Sequence, residues 1–506
     1  MKYGPGGELH TQSIIMDGKG SDVNLENEFA NSTSLHGIAR VANNKRVPVK
    51  LVWVSIMLTC LCVCVYQVHD RFSFYLEYTA NTAISVEYAR DLDFPAVTIC
   101  NFNRYRQSQV TAEEYKYLKF ILTTTAAFNL DLSTEQTVDK PNENDSRKFN
   151  FTEFTLRAGF LIGPALLECK WRGKPCYAEN FTHVFTPFGS CWTFNSGKDA
   201  PILQAHQAGE GNGLEIFIDI EQSEYTETIT NNFQAGLKVV IHDQHTPPLV
   251  ESSLAISPGV HAFVGIRRQQ YLNLEKPHGK CDASAKLDRF EKYSLEACAI
   301  DCLTEVIVQK CLCRPVGYPG NETECSPFQE RNCSIQVTDQ FHTGEIRDCE
   351  CTVPCNHTAF STGLSTAVIP SLRSVRVLTE VLFSGNRSMQ NSPGLNDTIA
   401  ELVDDLSAFQ EKYIKDNMVI LSVYYKELNF QFYEQTKAYT LSALVSDIGG
   451  QLGLFLGASF ITLAEILVYI THKVKWCFAS KRESENEETV ESEKSNIDSV
   501  THTSVV

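Results

Sequence analysis

The sequence predicts an α+β membrane protein in which two transmembrane helices flank one large disulfide-rich domain. The stretch from Leu51 to Val68 carries no charged residue, and the stretch from Tyr439 to Ile470 carries only Asp447 and Glu465. A spanning helix needs about 20 mainly apolar residues. Fourteen of the eighteen cysteines lie between the two stretches, and disulfides form in oxidising compartments. The segment between the stretches is therefore expected to be extracellular.

The residues that flank the two apolar stretches predict the orientation. The first 48 residues are polar and show no signal-peptide pattern. Basic residues cluster before the first stretch and after the second, and the positive-inside rule then places both termini in the cytosol of a plasma-membrane protein. The expected segments are a cytosolic N-terminus at 1–48, a first transmembrane helix at 49–68, an extracellular domain at 69–437, a second transmembrane helix at 438–471 and a disordered cytosolic tail at 472–506.

Residue patterns predict both strands and helices in the central domain. The strand at 94–101 follows the first span and the strand at 417–432 leads into the second, so these two strands could pair and couple the domain to both helices. Strands are expected at 94–101, 214–220, 237–241, 262–266 and 417–432, and helices at 111–126, 294–309, 370–383 and 396–416.

The fourteen central cysteines are an even number and predict seven disulfides. Cys298 and Cys302 share one face of a predicted helix, which suits two bonds to a following segment such as Cys349-x-Cys351. Zinc binding by these thiols is disfavoured outside the cell, so no metal or other cofactor is expected. Glycosylation sequons in the same domain lie at Asn144, Asn150, Asn180, Asn321, Asn332, Asn356, Asn386 and Asn396.

The second apolar stretch has the composition of a pore-lining helix. Gly449, Gly453 and Gly457 recur every fourth residue and leave one helix face free for another helix. Asp447 places a charge at the membrane edge, where ionisable groups usually face a bundle interior or a watery path. A simple dimerising anchor is the alternative. The stretch is longer than one straight span needs, so the helix is expected to be tilted, extended or interrupted.

Enzyme chemistry has no support in the sequence. The chain lacks a GxSxG elbow, an HExxH pair and a phosphate-binding glycine loop after a strand. Its formal net charge of −17 also disfavours nucleic acid as a partner.

Six motifs make the chain resemble the degenerin/epithelial sodium channel family, most of all its acid-sensing and bile-acid-sensitive branch. The resemblance extends from about residue 32 to residue 477. The motifs are STSLHGIARV (32–41), FPAVTICNFNRYR (94–106), FGSCWTFNSG (188–197), GNGLEIFIDI (211–220), YSLEACAIDC (293–302) and SDIGGQLGLFLGASFITLAEI (446–466).

The resemblance implies a homo- or heterotrimeric channel in the lipid bilayer that conducts sodium ions, is blocked by amiloride and is gated by an extracellular ligand. It also implies an ectodomain shaped like a hand, with a β palm, a β-ball and a helical finger, thumb and knuckle. The implied site residues are Gly457, Ala458 and Ser459 in the selectivity filter, His36 and Gly37 in a re-entrant loop, Asp447, Gly450 and Leu454 at the gate, and Ser446 at the degenerin position.

The disulfide pairing is likewise implied by the resemblance. The pairs are Cys100–Cys191, Cys169–Cys176, Cys281–Cys355, Cys298–Cys351, Cys302–Cys349, Cys311–Cys333 and Cys313–Cys325.

Several residues depart from the pattern of proton-gated relatives. The stretch from Phe74 to Ala80 lacks their histidine pair, and Thr230 to Asn232 replaces their acidic pair. Lys426 stands in place of a palm glutamate, and His278 in place of a tryptophan before Gly279. The extracellular ligand is left open between a peptide, an amphiphile and a proton, and gating by something other than simple protonation of the usual acidic pocket is expected. A proton-gated acid-sensing channel is the alternative.

Two other classes share part of this pattern. ATP-gated trimers would need a basic triphosphate site between the spans, which the sequence does not show, and a two-span receptor or adhesion protein would leave the glycines and Asp447 without a role. The C-terminal Ser504 and Val506 match a PDZ-domain ligand, with a chance match as the alternative.

Overall fold

The computed structural model describes residues 21–122, 146–226, 234–346, 349–371, 373–375, 408–476 and 478. It contains two compact units, one within Met1–Ala80 and Lys437–Val506 and the other within Asn81–Thr436. Most of the predicted helices at 370–383 and 396–416 and most of the tail at 472–506 lie outside the described residues, although 373–375, 408–417 and 472–476 are helical.

The described chain contains both helices and strands, numbered here in chain order. The helices are α1 Ser21–Ser32, α2 Ile38–Asn43, α3 Val47–Leu76, α4 Ala112–Leu122, α5 Phe151–Ala158, α6 Ile162–Ala165, α7 Leu295–Cys311, α8 Pro327–Gln329, α9 Ile335–His342, α10 Leu441–Leu456 and α11 Phe460–Trp476. The strands are β1 Ala80–Tyr88, β2 Leu92–Asp93, β3 Ala96–Asn101, β4 Leu166–Trp171, β5 Lys174–Pro175, β6 Phe181–Thr186, β7 Gly189–Phe194, β8 Gln204–Ala205, β9 Leu214–Asp219, β10 Leu237–His242, β11 Leu254–Ile256, β12 Val260–Leu272, β13 Asn356–Val368 and β14 Met418–Lys437.

The helices of the smaller unit include candidate membrane spans. Among the described residues, α3 is the helix that by itself is long and apolar enough to cross a membrane. It begins before and ends well after the predicted apolar stretch. Helices α10 and α11 meet the same criterion only as a pair, bent by 70° at a short break. The interruption that the length of the second stretch suggested is therefore present.

Two sheets and one short ribbon form the β structure of the larger unit. One sheet has the order β13-β12-β14-β9-β4-β5 with β1 also paired to β14, the other has the order β11-β10-β3-β7-β6, and β2 pairs with β8. β9 alternates buried and partly exposed residues, and its Leu214, Ile216 and Ile218 contribute to the main hydrophobic core. This alternation puts every second side chain on the core face.

The expected pairing of the strand at 94–101 with the strand at 417–432 is wrong. β3 pairs with β10 and β7 in the five-stranded sheet. All six residues of β3 are buried, which requires a central position covered on both faces. The strand that follows the first span and pairs with β14 is β1, whose residues are all exposed in the single chain. Its Ile84, Val86 and Tyr88 alternate with Ser85 and Glu87, a strand pattern that was not among the expected strands.

Helix α7 is joined to the segment that follows it by disulfide bonds. Its first turn is capped by Ser294, whose hydroxyl accepts a hydrogen bond from the amide of Ala297 at 3.0 Å. Cys298 and Cys302 are bonded to Cys351 and Cys349. The structure contains the seven pairs Cys100–Cys191, Cys169–Cys176, Cys281–Cys355, Cys298–Cys351, Cys302–Cys349, Cys311–Cys333 and Cys313–Cys325.

We expect Cys100→Ser to impair folding and delivery to the cell surface. Cys100 and Cys191 are fully buried, join β3 to β7 and are 91 residues apart in sequence. The chain-entropy model gives a bond of this span about 4–5 kcal/mol. Surface biotinylation measures the loss. Cys169→Ser is the matched control, because its bond spans only 7 residues and its loss should cost less; equal surface amounts of wild type and Cys100→Ser would contradict the prediction.

Candidate functional site

The break between α10 and α11 begins with a glycine that ends the first helix. Gly457 has a φ of 64°, in the left-handed region that side chains disfavour. Its amide donates to the carbonyl of Gly453 at 3.0 Å, and the amide of Ala458 donates to that of Leu452 at 3.2 Å. The first of these bonds, from a left-handed glycine just after the helix to the carbonyl four residues before it, is that of the αL cap of helix ends. The chain therefore leaves the helical path at Gly457 because that residue lacks a side chain.

Ser459 begins the second helix. Its hydroxyl lies 3.4 Å from the amide of Thr462, and its own amide donates to the Thr462 hydroxyl at 3.0 Å. Reciprocal bonds of this kind satisfy amides that the first turn of a helix leaves open. Gly457, Ala458 and Ser459 thus form a short connection in which the end of one helix and the start of the next are both capped.

The carbonyl oxygens at the break differ in their partners. That of Leu456 accepts a hydrogen bond from the amide of His36 at 2.9 Å. Within the described part of the chain, no hydrogen bond reaches the carbonyls of Gly457 and Ala458. Non-helical backbone at membrane depth is tolerated where it lines a watery cavity, and carbonyl oxygens can replace the hydration shell of a cation. The break can therefore present two acceptors to an ion.

The N-terminal segment packs directly on this break. A Cβ atom added to Gly457 would lie 2.6 Å from Cγ of the His36 ring. Gly37 has a φ of 90°, and a Cβ atom there would lie 2.9 Å from Sδ of Met57 on α3. His36 and Gly37 thus fill the space between the break and α3, and larger residues at either glycine would displace them.

A further contact of the N-terminal segment, which no residue pattern predicted, involves Glu465. The carboxylate of Glu465 accepts hydrogen bonds from the amide of Ser34 at 3.0 Å and the hydroxyl of Thr33 at 3.3 Å. An acid inside a membrane helix is costly unless it has such partners. Thr33 and Ser34 lie in the motif STSLHGIARV, but nothing in the sequence linked this motif to Glu465.

The opposite end of α10 carries a second contact that the sequence did not predict. The phenol of Tyr439 donates to Oδ2 of Asp447 at 2.5 Å. The Tyr439 ring meets the ring of Phe74, near the end of α3, with centroids 5.3 Å apart. The hydrogen bond from Tyr439 thus orients the carboxylate of Asp447. The contact between the Tyr439 and Phe74 rings links this region to the end of α3.

The other expected gate residues lie on α10 without such contacts. Leu454 is 76% exposed, and a Cβ atom added to Gly450 would meet nothing within 4 Å in the described chain. Ser446 is also exposed. Ser446, Gly450 and Leu454 are four residues apart in turn, so they occupy one face of the helix, and that face is open in a single chain.

The residues that depart from the proton-gated pattern are only partly described. Lys426 is exposed, and its aliphatic stem crosses the neighbouring strands over Gly265 and Gly363. Arg267 pairs with the adjacent Glu427 at 3.2 Å. Thr230 to Asn232 lie outside the described residues. A lysine over two glycines is a packing arrangement that a glutamate, with its shorter stem and opposite charge, would not reproduce.

Several described histidines are shifted toward the neutral form. Burial lowers the pKa of His242 to about 4, and it also lowers the pKa values of His183, His261 and His357. These groups therefore bind protons only at more acidic pH than an exposed histidine does.

The expected glycosylation and PDZ-ligand residues are only partly described by the structure. Asn150, Asn180, Asn321, Asn332 and Asn356 are exposed, whereas Asn144, Asn386 and Asn396 lie outside the described residues, as do Ser504 and Val506. Cys60, Cys62 and Cys64 of α3 are unbonded. The described residues contain no cluster of potential metal ligands.

The chain is similar to known sodium channels and acid-sensing ion channels. Residues 29–469 match the model of the amiloride-sensitive sodium channel family. The chain is 35% identical to acid-sensing ion channel 1A of Danio rerio, over 88% of each chain. It is also 35% identical to acid-sensing ion channel 2 of Homo sapiens, over 88% of this chain and 86% of the relative. The sequence identity to acid-sensing ion channel 1 of Gallus gallus is also 35%, over 88% of this chain and 84% of the relative.

Proposed function

The chain belongs to the amiloride-sensitive sodium channel family, and on this basis we propose that it forms a sodium-selective, amiloride-sensitive cation channel opened by an extracellular ligand. The family is one of ion channels and not of enzymes. The proposal is supported most by the break at Gly457–Ser459, where the carbonyls of Gly457 and Ala458 accept no hydrogen bond within the described residues. In a ring of subunits such carbonyls would replace the water around a sodium ion.

The proposed assembly is a homo- or heterotrimer in the plasma membrane, with both termini in the cytosol and the disulfide-rich unit outside. The open face of α10, with Ser446, Gly450 and Leu454, supports the assembly because glycine-rich helix faces pack closely on other helices. Gly457, Ala458 and Ser459 would form the filter, His36 and Gly37 would support it from below, and Asp447, Gly450 and Leu454 would close the path.

Patch-clamp recording of the full-length chain in cells, alone and with related subunits, tests this function. We expect an inward current that disappears when sodium is replaced by potassium and is blocked by amiloride. If the protein reaches the surface and every such combination stays without conductance, the two-span receptor class would be favoured instead.

The ligand is proposed to be a peptide or an amphiphile and not a proton. This is supported by Lys426, by the missing histidine pair between Phe74 and Ala80, and by the lowered pKa values of the partly buried histidines. Proton gating is the second candidate, and the names of the relatives favour it, since each is an acid-sensing ion channel.

We expect a step of external pH from about 7.4 to about 6.5 to evoke little or no transient current. Carboxylate pairs titrate in this range because like charges raise one pKa, and the pair of proton-gated relatives is replaced here at Thr230 to Asn232. Whole-cell recording with rapid solution exchange measures the response, with acid-sensing ion channel 1 of Gallus gallus as the positive control. A large transient current would establish proton gating and reject the proposed ligand class.

A PDZ-domain protein is proposed as a cytosolic partner of Ser504 and Val506. An extended C-terminus adds a strand to such a domain while its carboxylate is bound by backbone amides, so binding by the intact tail should be lost when one residue is added after Val506.

A further inference from the structure

Glu330 is a half-buried residue of the larger unit, and its carboxyl oxygen Oε2 is fully buried. Residues Glu330–Ser334 form one π-helical turn between α8 and α9. Oε1 of Glu330 accepts a hydrogen bond from the Ser334 hydroxyl at 3.2 Å. Oε2 is buried and has no hydrogen-bond partner among the described residues. A buried carboxylate with an unpartnered oxygen is costly when it is ionised.

The charged and titratable groups around Glu330 do not neutralise it. Glu324 adds a second carboxylate, whose oxygens accept from the amide and hydroxyl of Thr152 at 3.1 and 2.7 Å. Arg314 lies 3.8 Å from Glu324, and Tyr318 is buried nearby. Within the described residues Glu330 itself forms no ion pair. Burial is the main cause that raises the pKa of Glu330 to about 7; the bond from Ser334 opposes the effect, Glu324 adds to it, and the backbone amide of Val316 opposes it as well.

The segment that carries Glu330, Ser326–Ser334, connects two parts of the unit. Cys311–Cys333 and Cys313–Cys325 tie it and the residue before it to the end of α7. On its other side Arg331 donates to the carbonyl of Phe120 on α4 at 2.6 Å, and its guanidinium lies 4.3 Å from the centre of the Phe120 ring. Arg331 is thus directed toward α4 and not toward the neighbouring carboxyl group.

We propose that Glu330 is a proton-binding site, and that its protonation stabilises the folded Ser326–Ser334 segment. The proton is held on Oε2, the oxygen that has no donor, while Oε1 keeps the bond from Ser334. The inference goes beyond the proposed function, because it assigns a site for protons to a chain without the proton-sensing residues of its relatives, and it does not depend on conductance.

The direction of the pH dependence follows from the two pKa values. Folding raises the pKa of Glu330 from an ordinary 4.5 to about 7, so the folded state binds more protons than the unfolded state between these values. The free energy of unfolding therefore increases as pH falls through about 7 and levels off near 4.5. Above pH 7 the buried carboxylate is ionised and this contribution to stability is lost.

Thermal unfolding of the full-length protein in detergent, between about pH 5.5 and pH 8.5, tests the site. The Tm of the wild type should rise on acidification with a component centred near pH 7. Glu330→Gln keeps the shape of the side chain without its charge. It should remove that component and raise the Tm at alkaline pH. The matched control is Glu345→Gln, since Glu345 is exposed in the same unit and its replacement should leave the component in place.

Two results would overturn the proposal. One is a Glu330→Gln protein that keeps the wild-type dependence of Tm on pH. The other is a Glu324→Gln protein whose midpoint stays at the wild-type pH, because removing the neighbouring carboxylate should shift the midpoint to lower pH. If Glu330→Gln fails to fold, infrared difference spectra of the wild type and Glu324→Gln report the same midpoint through the band of the protonated carboxyl group; a missing band at acidic pH rejects the site.

Discussion

Ser446→Phe is expected to produce a standing sodium current without any ligand. Ser446 is exposed on the face of α10 that also carries Gly450 and Leu454. In the proposed trimer three such faces approach each other when the pore closes, and a bulky residue in a packed site commonly costs 1–3 kcal/mol. If each subunit contributed about 1 kcal/mol, the equilibrium would move toward the open state on the order of a hundredfold.

Whole-cell recording before and after amiloride measures this current. Val445→Phe is the matched control, because Val445 is also exposed but points about 100° away around the helix; it should give little current. Ser446→Cys treated with a charged thiol reagent should reproduce the open state in a protein that folded with a small side chain. A Ser446→Phe protein that reaches the surface and stays silent, with related subunits supplied, would reject α10 as the pore helix.

Gly457→Ala is expected to abolish sodium selectivity or conduction. The left-handed backbone costs an L-residue roughly 1–2 kcal/mol, and the new Cβ atom would lie 2.6 Å from the His36 ring. The break must then change its path, and the carbonyls of Gly457 and Ala458 move with it. In the Ser446→Phe background, where no ligand is needed, the reversal potential in mixed sodium and potassium solutions measures the change.

A double-mutant cycle separates the cost of the left-handed backbone at Gly457 from the cost of the contact with His36. His36→Ala removes the ring that the new Cβ atom would meet, so Gly457→Ala should cost less in that background than in the wild type. Strictly additive effects would show that the contact with His36 plays no part. Gly449→Ala is the control within the helix, since a Cβ atom there meets nothing within 4 Å in the described chain. Unchanged current and selectivity in Gly457→Ala would contradict the assignment of the filter.

The elements that the sequence predicts well are those whose residue pattern is local. β9 and β10 lie within one residue of their predicted bounds, and α7 within two, because alternation and helical spacing record which side chains face the core. The length of the second apolar stretch predicted a helix that is tilted, extended or interrupted; the structure shows the interruption, which the length by itself did not select.

The contacts between distant segments were not predictable from pattern. β12 lies parallel to β14 and antiparallel to β13, and no spacing in the sequence encodes that choice. The bonds from Thr33 and Ser34 to Glu465 and from His36 to Leu456 join residues more than 400 positions apart. Only the resemblance to a family suggested that His36 and Gly37 belong near the filter, and it said nothing about Tyr439 or Glu330.

Five of the seven disulfides close one inside another. Cys281–Cys355 encloses Cys298–Cys351, which encloses Cys302–Cys349, which in turn encloses Cys311–Cys333 and Cys313–Cys325. Because no bond crosses another, oxidation can proceed outward from the innermost hairpin in the order of synthesis, and no loop has to be threaded. Once an inner bond has formed, the next one restricts only the residues added outside it.

This nesting makes the bonds partly redundant. The Cys298–Cys351 and Cys302–Cys349 bonds span 53 and 47 residues, so either one already removes most of the chain entropy that the other would remove. No disulfide with a span of about that many residues encloses the Cys100–Cys191 bond or lies within its loop. Partial reduction on the way to the cell surface should therefore be tolerated within the nested set and be damaging at the isolated bond, so that the chain's vulnerability to reductants is concentrated between β3 and β7.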